Sequence, residues 1–371
     1  MSGPLHGLKV LEMPAIGPVP FCGMLLADLG ADVLRLDRTG DSGLGLPVEP
    51  RFDLLGRGKR SLALDLKATG AIELVCSVMD KADIVIEGFR PGTMERLGLG
   101  PDGALKRNPR LVYGRMTGWG QDGPLASAAG HDINYLSLTG ALHAIGRKHD
   151  APVPPLNLAA DFGGGALYLA LGVMAAIHER QHSGRGQVID AAMVDGASSL
   201  MAMFYGLLAQ GLWRDERGVN ILDSGAPWYD TYRCSDGRYV SVGAIEPKFF
   251  TQLARKLEID AARFPNHMDP RCWPEIRGAF AEAFARKTRE QWCALLEGSD
   301  GCFAPVLALR EAPRHHHIAA RQTFVEREGV VQPAPAPRFS RTPGSIRRAP
   351  PRRGDGGAQA LREWGVDAPR G

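Results

Sequence analysis

A histidine and an aspartate, each beside a glycine-bearing turn, are the residues of this 371-residue chain best placed to do chemistry. His131 stands in Gly130-His131-Asp132-Ile133-Asn134-Tyr135. Asp161 stands in Asn157-Leu158-Ala159-Ala160-Asp161-Phe162-Gly163-Gly164-Gly165, which opens the apolar run from Ala166 to Ile177. Imidazole and carboxylate are the side chains best suited to taking and giving a proton near neutral pH. A carboxylate ahead of three glycines and a helical run also sits where backbone N–H groups lack partners and the helix dipole favours negative charge. The pattern predicts proton chemistry. Taken singly, each residue has a plainer reading: His131 as a satisfied core histidine, Asp161 as a helix cap. A third group, Glu246 in Gly243-Ala244-Ile245-Glu246-Pro247, is a carboxylate of the kind that orients an imidazole and raises its basicity. Spacing alone does not bring it to His131.

Strands alternating with helices must carry these residues. Leu8–Met13 reads as a strand, Pro20–Leu29 as a helix and Ala31–Leu36 as a second strand after Gly30. Ser61–Leu66, the helical run Gly70–Met79 and Asp83–Glu87 repeat the unit. Arg110–Met116 and Val188–Met193 add further strands. The expected fold is α/β, with a doubly wound, mostly parallel, Rossmann-like sheet in a large domain. From Gly225 the pattern changes. Asp230–Cys234 and Arg238–Val242 flank Ser235-Asp236-Gly237, a hairpin signal, and helical patterns fill Pro247–Lys256 and Trp273–Leu296. The predicted organisation is a large domain over 1–190 completed by 330–371, a linker helix over 191–224, a small α+β domain over 225–311 and a return linker over 312–329. The tail from Pro333 to Arg353 is rich in proline and arginine and should run extended, with a short helix, Ala358–Trp364, docking back on the large domain.

Composition narrows the function. An apolar fraction of 44% over this length supports two cores rather than one. Forty-four basic against forty-one acidic residues exclude a generally basic nucleic-acid binder, yet leave room for a local basic pocket around a phosphorylated small molecule. Six cysteines at 22, 76, 234, 272, 293 and 302 include no Cys-x-x-Cys and no disulfide framework, which predicts a reducing, cytoplasmic setting. The first residues show no signal pattern, and Ala368-Pro369-Arg370-Gly371 is not a peroxisomal tripeptide, so secretion is not expected. Gly196–Trp213 is the uncharged run that raises the membrane question. Ser198, Ser199, Gly206, Gln210 and Gly211 dilute it and no basic flank anchors it, so it reads as a buried helix facing another domain or subunit, not a membrane span.

Several motifs are weighed and set aside. The first turn, Pro14-Ala15-Ile16-Gly17-Pro18-Val19-Pro20, lacks the Gly-x-Gly-x-x-Gly that approaches a dinucleotide pyrophosphate, although Asp37 lies where a ribose partner would follow. His178-Glu179-Arg180-Gln181-His182 matches His-Glu-x-x-His literally, but it ends at Ser183-Gly184, in a last helical turn, with no third ligand in view. The triplet His315-His316-His317 reads as a solvated loop, so no metal site is expected. No Gly-x-Ser-x-Gly elbow occurs. Basic residues instead gather at element ends: Arg38, Arg57-Gly58-Lys59-Arg60, Lys67 and Arg90. Ends of parallel strands are where open α/β sheets bind ligands, and converging arginines suit a multiply phosphorylated one. Ordinary solvated surface charge is the plainer reading of any one of them.

Leu55-Gly56-Arg57-Gly58-Lys59-Arg60-Ser61-Leu62, the two segments around His131 and Asp161 with Pro155-Leu156, Gly184-Arg185-Gly186-Gln187-Val188-Ile189-Asp190, and Gly225-Ala226-Pro227 with Gly243–Pro247 are together specific. They give the chain a nearly end-to-end resemblance to the α-methylacyl-CoA racemases of the class III CoA-transferase superfamily. The resemblance implies an interlocked homodimer, an acyl-CoA thioester as substrate, and neither metal nor redox cofactor. It implies that His131 and Asp161 are the two acid/base residues flanking the substrate α-carbon and that Glu246 hydrogen-bonds His131. It further implies that Arg38, the segment Leu64-Asp65-Leu66-Lys67, Arg90, and Gly130, Ile133, Asn134 and Tyr135 contact CoA. Each active site would then lie between the large domain of one subunit and the small domain of the other. The tail departs from what the resemblance implies in being shorter and more arginine-rich. The expected reaction interconverts (2R)- and (2S)-2-methylacyl-CoA through an enolate, whose oxygen would be received by backbone N–H groups, notably that of Asp132. The alternative is a class III CoA-transferase with Asp161 as nucleophile. His131 speaks against it, since by the resemblance members that transfer CoA do not pair a histidine at that place with a glutamate whereas proton transfer requires a second acid/base, and the intact trio speaks against an inactive CoA-binding protein. The acyl group stays open among branched fatty acyl, steroid side-chain and aryl-propionyl.

Overall fold

The computed structural model describes residues 3–40, 43 and 45–367, so the expectations drawn from Met1-Ser2 and from 368–371 lie outside the described residues. In chain order, β1 (Lys9–Glu12), α1 (Pro18–Asp28), β2 (Asp32–Asp37), β3 (Arg60–Ala63), α2 (Ala71–Lys81) and β4 (Ile84–Glu87) come first. They are followed by α3 (Thr93–Arg96), α4 (Pro101–Arg107), β5 (Val112–Thr117), α5 (Asp132–Leu138), α6 (Ala141–Ala144), a π-helical stretch over Leu158–Ala166, α7 (Leu167–Ser183) and β6 (Val188–Ala192). Then come α8 (Met193–Leu200), α9 (Ala202–Ala209), β7 (Tyr229–Arg233), β8 (Tyr239–Gly243), α10 (Pro247–Lys256), α11 (Trp273–Phe284), α12 (Arg289–Leu296) and β9 (Phe303–Pro305). The chain ends through α13 (His316–Ala320), β10 (Phe324–Arg327), β11 (Val330–Pro333) and α14 (Gly357–Trp364).

Two compact units result: Met1–Thr139 with Leu156–Leu200 and His317–Gly371, and Gly140–Pro155 with Met201–His316. The larger holds a six-stranded sheet in the order β3-β2-β1-β4-β5-β6, every pairing parallel. This is the doubly wound order, with its switch point between β1 and β4. The central strands read as apolar runs because both faces are covered: Ile84, Val85 and Ile86 are fully buried. α2 shows the complementary helical period, with Ala71, Leu74, Val75, Val78 and Met79 on its buried face. The tail closes the β3 edge. Ser61 donates its N–H to Asp355 O at 2.8 Å and accepts from Gly354 N at its hydroxyl. α14 buries Ala360, Leu361 and Trp364, and the Trp364 indole donates to Asp32 at 2.7 Å. Docking of this short helix is therefore as the sequence pattern predicts, while its start falls at Gly357.

The expected domain boundaries need correction. Residues 140–155 belong to the smaller unit, not the larger, because Arg147 is ion-paired to Asp230, and Arg217 donates to the carbonyls of His143 and Asp150. The stretch 191–224 is no single linker helix. α8 packs in the larger unit on the Leu158–Ala166 stretch, and α9 falls in the smaller unit with none of its residues buried. The supposed buried helix over Gly196–Trp213 is thus broken at Met201, and Met203, Tyr205 and Leu208 are exposed. Among the described residues, the helix long and apolar enough to cross a membrane by length and composition is instead Leu158–Ser183. It packs against β5, β6, α1 and α8. The return segment 312–329 is not plain linker: it carries α13 and the first strand of the β10–β11 hairpin.

The smaller unit has the predicted α+β character. β7, β8 and β9 form an antiparallel sheet, with the hairpin turn at Ser235-Asp236-Gly237 and Gly237 at φ +77°. Its core is aromatic: Trp228, Tyr232, Phe250, Phe280, Phe284 and Trp292 are buried together. His267 is buried here, stacked on Phe250 at 4.3 Å and bonded through Nε2 to Ile245 O at 2.8 Å, which fixes the backbone just ahead of Glu246.

Candidate active site

A cavity of about 1020 Å³ opens at the carboxyl ends of the large unit's strands. Its wall is built from the turn after β1 (Pro14 to Gly17), Asp37 and Arg38 at the end of β2, Gly88 to Arg90 after β4, and Met116 to Trp119 at the end of β5. This is the switch-point crevice where such sheets bind ligands. α1 begins at this wall with Pro18 at its first position and Pro20 two residues on. Proline has no N–H, so this helix start offers fewer donors than a pyrophosphate-binding turn needs. Asp37 accepts hydrogen bonds from Arg35 at 3.1 Å and from the Ser61 hydroxyl, which engages the carboxylate that a dinucleotide ribose would require.

His131 and Asp161 both line this cavity. His131 caps α5 in an extended conformation (φ −134°, ψ 173°), held by its own N–H donating to Asn134 Oδ1 at 3.0 Å. Its side chain is exposed. Asp161 sits in the π-helical stretch, where Leu167 N–H reaches back five residues to Phe162 O. Such stretches recur at functional sites because the wider turn pushes a side chain outward. Asp132 ties the two residues together. It is buried, it follows His131 as the first residue of α5, and its Oδ2 accepts from the N–H groups of both Ala160 and Asp161 at 2.8 Å. The α5 N-terminus also leaves the Asp132 N–H without an intrahelical acceptor.

The Asp161 carboxyl is pushed above the ordinary carboxylate range, first by burial and further by Asp132, against the lowering effects of an Asn157 hydrogen bond and of His131. The Asn157 amide donates to Asp161 Oδ2 at 3.2 Å. Gly17 (φ +68°) forms the facing wall: a Cβ there would stand 3.1 Å from the same oxygen. Gly130 is required as well, since its Cβ would fall 2.8 Å from the Tyr135 ring and 3.0 Å from Trp119. Tyr135 donates its hydroxyl to Gly130 O, and burial, with Asp161 and Asp132 nearby, pushes its pKa up to about 12.

Asp161 and the three glycines after it do not stand ahead of a helix, where the sequence pattern predicts unpaired N–H groups. The glycines lie inside the helical stretch, whose reason for them is packing. A Cβ on Gly164 would stand 2.5 Å from Ala197 N, and one on Gly196 would collide with Gly164 O, so α8 and the Asp161 stretch touch backbone to backbone. The N–H of Asp161 is engaged by Asp132 and is not free for an external anion.

Other expected contacts divide. Arg38 and Arg90 are exposed on the cavity wall, with Gly130 and Tyr135. Leu64 and Leu66 turn into the core instead, Asp65 accepts from Lys67 N at 3.0 Å, and none of Leu64, Asp65, Leu66, Lys67, Ile133 or Asn134 is on that wall. Arg57, Lys59 and Arg60 are corrected outright. Each is about 2% exposed or less and ion-paired: Arg57 to Asp28 at 2.5 Å, Lys59 to Glu12 at 2.6 Å, Arg60 to Asp32 and to Glu363. Glu246 belongs to the smaller unit, where it caps α10 with its side chain exposed. Sequence reasoning missed Trp119, Arg35 and the tail residue Arg353 as wall residues. Only Arg353 carried a signal, its place in an arginine-rich run.

A family model described as CoA-transferase family III matches residues 5–356. The chain is 46% identical over 364 residues to an alpha-methylacyl-CoA racemase of Mus musculus, covering 97% of this chain and 93% of that protein. It is 44% identical to the alpha-methylacyl-CoA racemase of Homo sapiens, covering 93% of this chain and 90% of that protein. Among solved structures, a CAIB/BAIF family protein from Brucella suis superposes with a TM-score of 0.83 at 25% identity, over 98% of this chain and all of the other.

Proposed function

The chain belongs to CoA-transferase family III, and we propose on that premise that it is a racemase interconverting (2R)- and (2S)-2-methylacyl-CoA thioesters by proton transfer through an enolate. The observation that carries the reading is that one switch-point cavity is lined by an exposed imidazole, a carboxyl raised by its surroundings, and two exposed arginines. A thioester carbonyl acidifies its α-hydrogen. One of His131 and Asp161 removes that hydrogen, leaving the electron pair on the enolate, and the other returns a proton to the opposite face; the roles exchange with direction. A carboxyl whose pKa is raised above the ordinary carboxylate range is better matched to this exchange than an ordinary one, because it is a stronger base. The N–H of Asp132, at the start of α5, is the proposed donor to the enolate oxygen. Arg38 and Arg90 are the proposed phosphate ligands of CoA, with Gly130 and Tyr135 shaping the wall.

By the family resemblance, Glu246 is the proposed hydrogen-bond partner of His131, within a cytoplasmic homodimer. The chemistry as proposed uses the protein's own side chains and no cofactor. The test uses one epimer of a 2-methylacyl-CoA in deuterium oxide without an acceptor acid. Racemisation with deuterium at the α-carbon supports the reading. Absence of exchange, together with CoA transfer to an added carboxylate, would replace it by a transferase with Asp161 as nucleophile.

A further inference from the structure

The smaller unit carries a second group of ligating side chains, remote in sequence from the residues of the cavity. Glu297 follows the last residue of α12, and His315 and His316 come 18 and 19 residues later, where the unit ends. One ligand atom from each of the three lies within 4.8 Å of the others. His315 Nε2 is 2.6 Å from Glu297 Oε1, and the two side chains are only 18% and 23% exposed. The His315 and His316 rings stand 4.5 Å apart, inclined by 34°. One turn earlier on α12, Cys293 stands beside the Glu297 carboxylate. Contrary to the expected solvated loop, His315 is held in place.

An ion pair needs one imidazole. Two adjacent imidazoles converging on one half-buried carboxylate are instead the donor set of a borderline-soft divalent metal, which takes neutral imidazole nitrogen and carboxylate oxygen together. Around a tetrahedral zinc with ~2.0–2.1 Å bonds, donors stand ~3.4 Å apart, so the exposed His316 side chain would close in from within 4.8 Å while the 2.6 Å His315–Glu297 pair would open to admit the ion. The literal His-Glu-x-x-His helix makes the contrast. His178 and His182 are exposed in the last two turns of α7, His182 Nδ1 faces His178 O at 3.2 Å, and Glu179 accepts from Ser183.

We propose that Glu297, His315 and His316 bind one zinc-class divalent ion, with water at the fourth position. The ion would tie the end of α12 to the point where the chain leaves the smaller unit, closing the loop between them and stabilising the fold. The full-length chain, dialysed against EDTA and titrated with zinc chloride in a calorimeter, should bind about one ion per chain, and the ion should raise the melting temperature. His315→Ala/His316→Ala and the near-isosteric Glu297→Gln should each weaken binding at least ~10–100-fold, judged by what loss of a supporting group alone does, and abolish the zinc-dependent rise. His178→Ala/His182→Ala should bind like the parent. No binding by the parent, undiminished binding in His315→Ala/His316→Ala, or loss in His178→Ala/His182→Ala overturns the proposal.

Discussion

The rim of the large unit's cavity and the charged layer beneath it use the same residue types for opposite ends. On the rim, His131, Arg38 and Arg90 are exposed, and Asp161 keeps a carboxyl facing the cavity. Beneath, Lys59 donates to both oxygens of Glu12 and to Pro20 O, and Arg57 grips Asp28 bidentately and Gln332 besides. Burial raises the pKa of Glu12 and lowers that of Lys59, and each partner's charge and hydrogen bonding oppose that shift in the other. The lesson is that a basic run such as Arg57-Gly58-Lys59-Arg60 is read by its partners, not by its composition.

Substitutions can break that contrast. On the proposed mechanism, His131→Ala and Asp161→Asn should each lower the racemisation rate roughly 100- to 10,000-fold while leaving the melting temperature close to the parent's. Full activity in either removes the two-base assignment. Lys59→Met should do the reverse, costing about 3–5 kcal/mol in denaturant unfolding because it strands Glu12, and adding Glu12→Leu should recover part of the loss. If Lys59→Met is as stable as the parent, the layer is not what holds the sheet's end. Arg38→Ala should raise KM for acyl-CoA about 10-fold with unchanged stability, as expected for a charge-assisted bond to phosphate.

The smallest effect concerns pH. The Asp161 carboxyl is raised in the fold, chiefly by burial, so the folded state holds its proton more tightly than the unfolded state does. Its contribution favours the fold at low pH and is lost as pH rises from the ordinary carboxylate range through the raised value. Asp161→Asn should therefore melt slightly above the parent at neutral pH, and the gap should close below about pH 4. A gap that widens on acidification contradicts a raised carboxyl.

Much of the architecture was legible. The alternation of β-type runs with helical periods predicted the doubly wound sheet, and Ser235-Asp236-Gly237 marked the hairpin, because both signals are local. His131 and Asp161 were visible as chemically apt residues, and the structure brings them to one cavity. The boundaries were less legible. Residues 140–155 join the smaller unit through Arg147 and Asp230, 83 positions apart, and no local pattern records that pairing. Nor did Glu297 announce itself as the carboxylate for His315, since it stands in no motif and lies 18 positions before the histidine triplet.

The sequence by itself determined which segments become strands and helices, where apolar faces lie, and which side chains have the chemistry for proton transfer, because backbone propensity and periodicity act within a few residues. Only the tertiary structure decided which of those side chains remain available. Lys59 meets Glu12 across 47 positions, Arg57 meets Gln332 across 275, and Gly164 meets Gly196 backbone to backbone. Packing fixes such encounters, and it is packing that leaves Asp161 facing the cavity while Asp28, of the same residue type, is bound to Arg57.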